Sequence, residues 1–458
     1  MPYASRPASP APGHLVRSHR GAPFPFFIDR GLGDKPSFAG SAPREQLVVD
    51  AEGRAQIWRD GAWHDAGHYP IDPLDAIDAF VDGSRSDPVA VPSWLDGVTL
   101  PRTVGYLSYE LGSRCDRVQA PPAAGKTRIG TPLAVLSVYD DVDAWDPRSG
   151  RTWHVRFAHS SPAAPPPALQ APVQSWQPTT RAAYRRGFAR ILSAIRAGDI
   201  YQANLSRRAV FEFDGDAISA YCRLRDVQPV PWGAFLGFGG FSLLSNSPEC
   251  FLERDGDAIA TRPIKGTRAR RGEPAADAAE RASLASDPKE MAEHLMIVDL
   301  ERSDLGRVAT TGSVRVTRYG AVESFATVHH MASDVEATLR HGIGLAALLR
   351  ATFPGGSITG APKLRAMEIL AEVEDGERGP YTGAIGCFNG SDRLSLSIAI
   401  RTAVTAGNQL LYAAGGGIVA DSDAEREWEE TEIKIGALRA ALAAGGRAGH
   451  APAAAKAL

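Results

Sequence analysis

The 458-residue chain has room for two or three domains of ~150 residues each, or for one large α/β unit. Hydrophobic residues make up 44% and charged residues 22%, as in an ordinary folded protein. Lysine and arginine total 50 against 53 acidic residues, and this net charge of −3 argues against a protein whose main task is coating nucleic acid. No apolar run is long enough to predict a membrane span.

The first residues, MPYASRPASPAPGHLVRSHRG, contain arginine and proline but no apolar core, so they do not resemble a secretory signal. The four cysteines are scattered and form no CxxC pair, which indicates neither a zinc site nor a disulfide framework. A reducing, cytoplasmic location is therefore the expectation.

The first third of the chain is predicted to be rich in strands. Residues 1–157 contain short alternating or aromatic stretches between Gly, Pro and Asp residues. Residues 158–178 are rich in Pro and Ala without a periodic apolar face, which predicts an exposed connector.

Helical spacing begins beyond the connector. A helix is predicted over 181–197, with Thr179 or Thr180 as its N-cap. The mixture of strands and helices over 180–441 predicts a mixed α/β (α+β) catalytic domain, and residues 442–458 predict a disordered tail. Further helices are predicted at 217–226, 273–284, 288–303, 342–351, 361–371 and 423–442, and strands at 313–318, 382–388, 393–403 and 409–414.

Two of these helices carry glutamates three residues apart, which places both carboxylates on one helix face. The pairs are Glu290 with Glu293 and Glu427 with Glu430. Four carboxylates suit Mg²⁺, which prefers oxygen ligands. Two structural alternatives stay open: Glu290 completes a capping box begun by Asp287, or Glu430 forms a solvated pair with Lys434.

A basic segment, TRPIKGTRARRG, occupies residues 261–272. It is suited to phosphate or nucleic acid, although the acidic balance of the chain disfavours that interpretation. Lys265 is alternatively a buried amine, because burial lowers the pKa of a lysine and makes it a nucleophile. A solvated surface loop is the third alternative.

Two glycine-rich segments offer backbone amides. FPGGSITGAPK, at 353–363, fails the Walker pattern but has free N–H groups for an anion as it enters a helix. Gly415, Gly416 and Gly417 follow a predicted strand and either approach a ligand closely or form a β-bulge. Arg401, in an alternating strand, needs a carboxylate partner from the protein or from a ligand if it faces inward.

In order along 180–441, these segments resemble the chorismate-utilising enzyme family. The matching blocks are GDIYQANLSRR, SNSPECFLE, TRPIKGTRARRG, KEMAEHLMIVDLERSDLGRV, VHHMAS, FPGGSITGAPKLRAMEIL, YTGAIG, SIAIRTAV and GGGIVADSDAEREWEET. PFFID, PSFAG and GYLSYELG extend the resemblance more weakly to the N-terminal part. The resemblance implies a sandwich of two large antiparallel sheets flanked by helices, with both halves of the chain contributing.

Three positions indicate a branch of the family. Isochorismate and salicylate synthases carry a water-activating lysine where this chain has Gln202, and a neutral amide cannot act as that base. Anthranilate synthases have Ala where this chain has Lys265. Lys265 together with Thr359 resembles the aminodeoxychorismate-forming branch, in which the lysine is a nucleophile. Anthranilate formation is the alternative, and a non-catalytic nucleic-acid-binding protein is a distant one.

The resemblance also implies site residues. Lys265 attacks C2 of chorismate as the C4 hydroxyl leaves, Glu249 is general acid or base, and His330 and Lys434 are further catalytic positions. Ammonia then attacks C4 and expels the lysine, which forms 4-amino-4-deoxychorismate for para-aminobenzoate and folate synthesis. Mg²⁺ is held by Glu290, Glu293, Glu427 and Glu430, and substrate by Gln202, Gly266, Thr267, Thr359, Tyr381, Arg401, Gly415, Gly416 and Gly417.

Ammonia has to be supplied, and the chain contains neither a glutaminase triad nor an appended amidotransferase domain. A separate glutamine amidotransferase subunit is therefore the expected partner, with neither nucleic acid nor membrane involved. Relatives hold a tryptophan pocket in their N-terminal half, and residues near Ser37 and Phe38 are the candidates for one in this chain.

Overall fold

The computed structural model describes residues 13–30, 35–66, 72–115, 128–158, 164–170, 175–325 and 328–444. The first twelve residues and most of the predicted tail, from 445 onward, lie outside these ranges. The helices within them are α1 Gly13–Ser18, α2 Pro73–Gly83, α3 Gly112–Cys115, α4 Arg181–Ala197, α5 Ala217–Val227, α6 Pro274–Ser286, α7 Pro288–Gly306, α8 Leu345–Thr352, α9 Lys363–Val373 and α10 Ala424–Ala443.

The strands form two large sheets. They are β1 Phe26–Asp29, β2 Ser37–Gly40, β3 Glu45–Val49, β4 Ala55–Arg59, β5 Ala62–Asp65, β6 Thr103–Leu107, β7 Ala134–Val138, β8 Asp141–Trp145, β9 Thr152–Arg156, β10 Gln202–Glu212, β11 Trp232–Gly237, β12 Phe241–Ser247, β13 Cys250–Asp255, β14 Ala258–Arg262, β15 Ile264–Ala269, β16 Arg315–Ser324, β17 Val328–Thr338, β18 Gly360–Ala361, β19 Ala384–Phe388, β20 Arg393–Ile398, β21 Thr402–Ala406 and β22 Gln409–Ile418.

The first sheet has ten strands in the order β18-β10-β22-β21-β12-β11-β1-β2-β8-β9. The second has twelve, in the order β15-β17-β14-β13-β20-β19-β6-β7-β3-β4-β5, with β16 paired to β17. Strands from residues 26–156 enter both sheets, and so do strands that follow the connector. The predicted sandwich of two large antiparallel sheets with flanking helices is confirmed.

The core has the layers that such a sandwich requires. One apolar cluster joins residues of both sheets, such as Phe26 and Leu243 of the first with Tyr106 and Ile385 of the second. Other clusters lie under the helices on the outer faces: α2, α7 and α8 cover the second sheet, and α5 and α10 the first.

Helix α4 shows how the local sequence sets the elements. The Thr180 hydroxyl caps its N-terminus by accepting a hydrogen bond from the Ala183 amide at 3.2 Å, and Gly198 ends it in a left-handed conformation with φ 81°. Tyr184, Phe188 and other apolar residues on one face pack against β10 and α9. The predicted helix over 181–197 agrees with this element residue for residue.

Several predicted elements differ from the structure in their bounds, such as β16, which ends at Ser324 and not at 318, and one is divided in two. The strand expected over 393–403 is two strands, because β20 belongs to the second sheet and β21 to the first. Arg401 lies at the crossing with φ 51°, a left-handed conformation that costs energy for any residue other than glycine. Alternating polarity continues across the break, so a pattern of period two could not reveal it.

Candidate active site

The floor of the candidate site is formed by β10 and β22. Their antiparallel register is unbroken and pairs Asn204 with Gly417, Leu205 with Gly416 and Ser206 with Gly415. The glycines are therefore regular strand residues, and the alternative of a β-bulge is wrong. Their lack of side chains brings other groups close to the backbone of β22.

Lys265 projects toward this floor from β15. A Cβ atom at Gly417 would lie 3.1 Å from Lys265 Nζ and 2.9 Å from Gln202 Cδ, so three separate elements meet at this point. Lys265 Nζ donates a hydrogen bond to Glu293 Oε2 of α7 at 3.1 Å. The side chain of Lys265 is 19% exposed and half-buried in an ion pair, which is not the geometry of a solvated loop.

Gly266 allows this placement of Lys265. Between Lys265 and Thr267 the pairing of β15 with β17 shifts register, and Gly266 takes φ 68° at the shift. A Cβ at Gly266 would lie 2.7 Å from Leu284 Cδ1 and 3.1 Å from Glu290 Oε2. Any larger residue would therefore be strained and would displace α6 or α7.

Gln202, the first residue of β10, is fully buried beside Lys265. Neither its side-chain nitrogen nor its oxygen has a hydrogen-bond partner among the described residues. A buried amide without partners costs about 1–3 kcal/mol for each unpaired group. The amide is therefore suited to contact a bound ligand.

The carboxylates of α10 approach the same floor. A Cβ at Gly416 would lie 3.0 Å from Glu427 Oε2 and 3.9 Å from Glu430 Oε1. Lys434 Nζ donates to Glu430 at 2.7 Å and to the Gly415 carbonyl at 2.7 Å, so the predicted pair within the helix also binds the strand. Asp423 caps α10 through the Glu425 and Arg426 amides.

The carboxylates of α7 lie next to Lys265 and Gly266 of β15. Asp287 caps this helix by accepting from the amides of Lys289 and Glu290 at 3.0 and 3.2 Å. The Glu290 side chain accepts from Arg268 Nη1 at 3.1 Å. Oε1 of Glu290 is thus bound by Arg268 of β15, and Oε2 lies beside Gly266 in the site.

Their surroundings distinguish the two glutamates of α10. Burial raises the pKa of Glu427, and the charge of Glu430 adds to the rise, although Ser422 donates a hydrogen bond to it at 2.7 Å. Glu430 is more exposed; desolvation acts in the same direction on it, but the adjacent Lys434 brings the pKa of Glu430 below its usual value. Of the two, only Glu430 is neutralised by an adjacent lysine.

These glutamates fit Mg²⁺ in donor type. All four candidates offer carboxylate oxygens, and the missing side chain of Gly416 leaves space against Glu427. Within the described ranges, no three His, Cys, Asp or Glu side chains converge as a complete metal cage. Mg²⁺ commonly keeps waters and substrate oxygens as ligands, so an incomplete protein set is compatible with it.

Glu249 lies next to the β15 backbone. Its side chain accepts from the Ile264 amide at 3.4 Å, one residue before Lys265. Burial raises the pKa of Glu249 to about 7, and the positive charge of Lys265 opposes the rise. A carboxyl group with such a pKa can donate or accept a proton near neutral pH.

His330 and Arg401 form the next group. His330 Nδ1 is 2.9 Å from the Thr267 hydroxyl, and burial together with the charge of Arg401 lowers the pKa of His330 to about 3. His330 is therefore a neutral imidazole at physiological pH. Desolvation lowers the pKa of the half-buried Arg401 as well, against the opposite effects of Tyr412 and Glu249, and no carboxylate among the described residues forms an ion pair with it.

Thr359 is hydrogen-bonded directly to β10, and Tyr381 lies next to two residues that bind β10. The fully buried Thr359 accepts from the Asn204 amide through its carbonyl at 2.9 Å, and its hydroxyl donates to the carbonyls of Gly355 and Gly356. Tyr381 is buried next to Arg378 and Glu374, and burial raises the pKa of its hydroxyl. One amide of the 353–363 turn, that of Gly356, is not free for a ligand anion, because it donates to the protein's own Glu301 at 2.9 Å.

The basic segment is neutralised within the protein. Its arginines pair as follows: Arg262 with Glu323 and Asp334, Arg268 with Asp287 and Glu290, Arg270 with Asp277, and Arg271 with Glu280. A nucleic acid would have to displace these carboxylates, so the geometry disfavours the distant alternative. The described helices also include none that is both long and apolar enough to cross a membrane.

Two buried clusters near the site escaped sequence reasoning. Arg378 bonds to Glu374 and to three segments of the site, and Lys363 pairs with Asp304 while donating to the Pro354 carbonyl at 2.8 Å. Both the arginine and the lysine belong to charged stretches that are typical of a solvated surface. The Glu374–Arg378 spacing of four was the available signal, but it does not distinguish a buried pair from an exposed one.

A cavity of about 610 Å³ lies elsewhere, lined by Phe38, Arg30, Lys35, Glu253 and other residues. Ser37 is buried beside it, and its hydroxyl accepts from the Arg30 amide at 2.9 Å. A tryptophan pocket in this region stays a prediction.

Known proteins resemble the chain over most of its length. A family model described as chorismate binding enzyme matches residues 45–440. Aminodeoxychorismate synthase component 1 of Salmonella typhimurium is 40% identical over 341 residues, which are 72% of this chain and 74% of the relative. Anthranilate synthase component 1 1 of Haloarcula marismortui is 36% identical over 432 residues, 85% of this chain and 87% of the relative.

The fold has a solved counterpart. The crystal structure of anthranilate synthase component I from Streptococcus pneumoniae has a TM-score of 0.73 at 28% identity, covering 88% of this chain and 92% of that one. The family match spans far more than half of the chain, and relatives of two chorismate-utilising kinds exceed 30% identity. The chain is therefore a member of the chorismate-binding enzyme family.

Proposed function

We propose that this protein converts chorismate and ammonia into 4-amino-4-deoxychorismate, as the first component of an aminodeoxychorismate synthase. The observation that carries the proposal is the position of Lys265, whose amine lies at the Gly417 backbone beside the unpartnered amide of Gln202. A half-buried amine at the site floor is placed to attack a ring that rests on β22. The relative from Salmonella typhimurium adds support, because it is a component of this kind.

The chemistry requires two displacements. Lys265 Nζ, as the free amine, forms a bond to C2 of chorismate while both ring double bonds shift by one position and the C4–O bond breaks, so that the hydroxyl leaves with a proton as water. Ammonia then bonds to C4, both double bonds shift back, and the C2–N bond breaks to release the lysine amine. No oxidant or reductant is needed, and the enolpyruvyl group is retained.

Glu249 supplies the proton for the first displacement. Burial raises the pKa of Glu249 to about 7, so its carboxyl group can carry a proton near neutral pH. Its hydrogen bond to the Ile264 amide fixes it next to Lys265. The carboxylate that remains can take a proton from the ammonia that attacks later.

Each of the two carboxylates of chorismate needs a positive charge or backbone amide donors to bind it. Arg401 is half-buried and forms no ion pair with a carboxylate in the described part of the chain, and with Tyr381 and the amides of β22 it would bind the enolpyruvyl carboxylate. Glu290, Glu293, Glu427 and Glu430 would hold Mg²⁺, directly or through water. When bound, the ion would neutralise and orient the ring carboxylate.

Ammonia would come from a separate glutamine amidotransferase subunit. The relative from Salmonella typhimurium is described as component 1, which implies a second component. Anthranilate synthesis is the alternative because relatives of that kind also match. It requires loss of pyruvate from the ring, whereas the proposed reaction does not.

The test is incubation of the purified chain with chorismate, Mg²⁺ and ammonium, followed by mass analysis of products and of the intact protein. We expect 4-amino-4-deoxychorismate without pyruvate, and a protein adduct equal to chorismate less one water when ammonium is omitted. Lys265→Ala should remove both product and adduct. Anthranilate with pyruvate, or full turnover by Lys265→Ala, would refute the proposal.

A further inference from the structure

We propose that Arg378 is a positioning residue that holds three substrate-facing segments of the site in register. This inference rests on the proposed function for the identity of those segments. Arg378 follows α9 and is 2% exposed at its side chain. Its Nε and Nη2 donate to the two oxygens of Glu374 at 2.8 and 2.7 Å, which compensates the buried charge.

The remaining donors reach three different segments. Nη1 donates to the Ile358 carbonyl at 3.1 Å and to the Thr382 hydroxyl at 3.3 Å, and Nη2 donates to the Asn204 carbonyl at 2.6 Å. Each acceptor lies within two residues of an expected substrate contact. Those contacts are Thr359, Tyr381 and Gln202, respectively.

Five hydrogen bonds use all five N–H groups of the guanidinium. Lysine has only three donors and a flexible ammonium, so it cannot reproduce this planar fork. The guanidinium also lies 4.5 Å from the centre of the Tyr109 ring. The arrangement is specific to arginine and exceeds what neutralisation of Glu374 alone requires.

The backbone of Arg378 is fixed as well. The amides of Arg378 and Gly379 donate to the two oxygens of Glu110 at 2.6 and 3.0 Å. Glu374 also accepts from the Ser206 amide at 2.8 Å and so reaches β10 a second time. Arg378 is therefore a rigid junction, and a shift of its head group would move the three segments relative to one another.

The experiment compares two buried arginines. Arg378→Lys removes the junction, while Arg225→Lys changes a similarly buried arginine that pairs with Asp29 and contacts none of the candidate site residues named above. Consumption of chorismate gives KM and kcat, calorimetry gives chorismate affinity, and thermal unfolding gives Tm. Because consumption is followed rather than product, the readout holds whether the product is aminodeoxychorismate or anthranilate.

We expect both variants to lower Tm, but only Arg378→Lys to raise KM for chorismate, by about tenfold, and to lower kcat. Glu374→Gln, which keeps an acceptor for Arg378, should fold and give a smaller change in the same direction. If Arg378→Lys does not fold, Glu374→Gln carries the test with a threshold of twofold in KM. Three results would overturn the proposal. The first is a change in KM below threefold in folded Arg378→Lys, and the second is an equal change in KM in Arg225→Lys. The third applies if Arg378→Lys does not fold, and is a change in KM below twofold in Glu374→Gln.

Discussion

Lys265 Nζ lies 3.1 Å from Glu293 Oε2, an ion pair that joins strand β15 to helix α7. The two side chains are 19% and 17% exposed, so solvent screens them less than it screens a surface pair. The pair keeps the amine above Gly417 and also ties one of the candidate metal ligands to the candidate nucleophile.

Glu293→Gln should weaken both functions of this pair. Removal of one carboxylate lowers the attraction for Mg²⁺ and frees Lys265 from its position, so we expect a half-saturating Mg²⁺ concentration at least ~10-fold higher and a lower kcat. Magnesium titration of chorismate consumption measures this. Glu280→Gln, on α6 and paired with the exposed Arg271, is the control and should change neither value. Unchanged magnesium dependence in Glu293→Gln would contradict the assignment.

Gly417→Ala tests the contact between strand β22, in the floor of the site, and the amine of Lys265. The added Cβ would lie 2.9 Å from Gln202 Cδ and 3.1 Å from Lys265 Nζ, closer than real Cβ contacts allow for the buried amide. We expect turnover to fall more than tenfold, because overpacking displaces the two groups that face the substrate. The measurement is kcat with thermal unfolding on the same sample. Turnover within twofold of the parent would show that Lys265 acts from another position.

Gly436→Ala is the same substitution as Gly417→Ala, made in helix α10. Apart from its chain neighbours and the backbone of its own helix, no atom of the described residues lies within 4 Å of the Cβ that it adds, and the residue is in a helix interior. Alanine should stabilise the protein by about 0.5–1 kcal/mol, since glycine loses more backbone entropy in a helix. A higher midpoint in urea with unchanged kcat is the expected result. Destabilisation would mean that the added methyl group meets a neighbour and that α10 is packed more tightly around residue 436.

Local patterns were sufficient for much of the architecture. The cap at Thr180, the helix faces that carry the paired glutamates, and the glycines of β22 depend on neighbours within a few residues, and so they could be predicted. The break at Arg401 could not, because it depends on which of two sheets receives each half of an alternating run. Arg378 was missed because its acceptors near 204, 358 and 382 are distant in sequence.

The site residues also divide into those that the sequence could indicate and those that depend on distant residues. The resemblance and the spacing of acidic residues indicated Lys265 and Glu293, and the structure brings these two into contact. The raised pKa of Glu249 arises from burial by residues far along the chain, and no local pattern reveals it. The pairing of the basic segment with acids from α6, α7 and β16–β17 likewise depends on the fold.

Glu249 should give the reaction a pH dependence near neutrality. Its pKa is raised to about 7, and the protonated form is the one that donates to the leaving hydroxyl. We expect kcat to fall as pH rises through about 7 and the inflection to disappear in Glu249→Gln, which cannot titrate. A pH–rate series for both proteins measures this. A profile that rises through pH 7 would assign Glu249 as a base in the limiting step.

Arg401→Gln should lower affinity for chorismate without unfolding the protein. No carboxylate among the described residues forms an ion pair with Arg401, so the substitution breaks no salt bridge, and desolvation of the half-buried cation already lowers its pKa. A charge-assisted hydrogen bond contributes about 1.5–3 kcal/mol, which corresponds to a KM for chorismate ~10- to 150-fold higher. Removing a half-buried charge that has no ion-pair partner should keep Tm the same or raise it. A raised KM with retained Tm identifies Arg401 as a ligand-binding residue, whereas a lowered Tm with unchanged KM would show that its charge serves the fold.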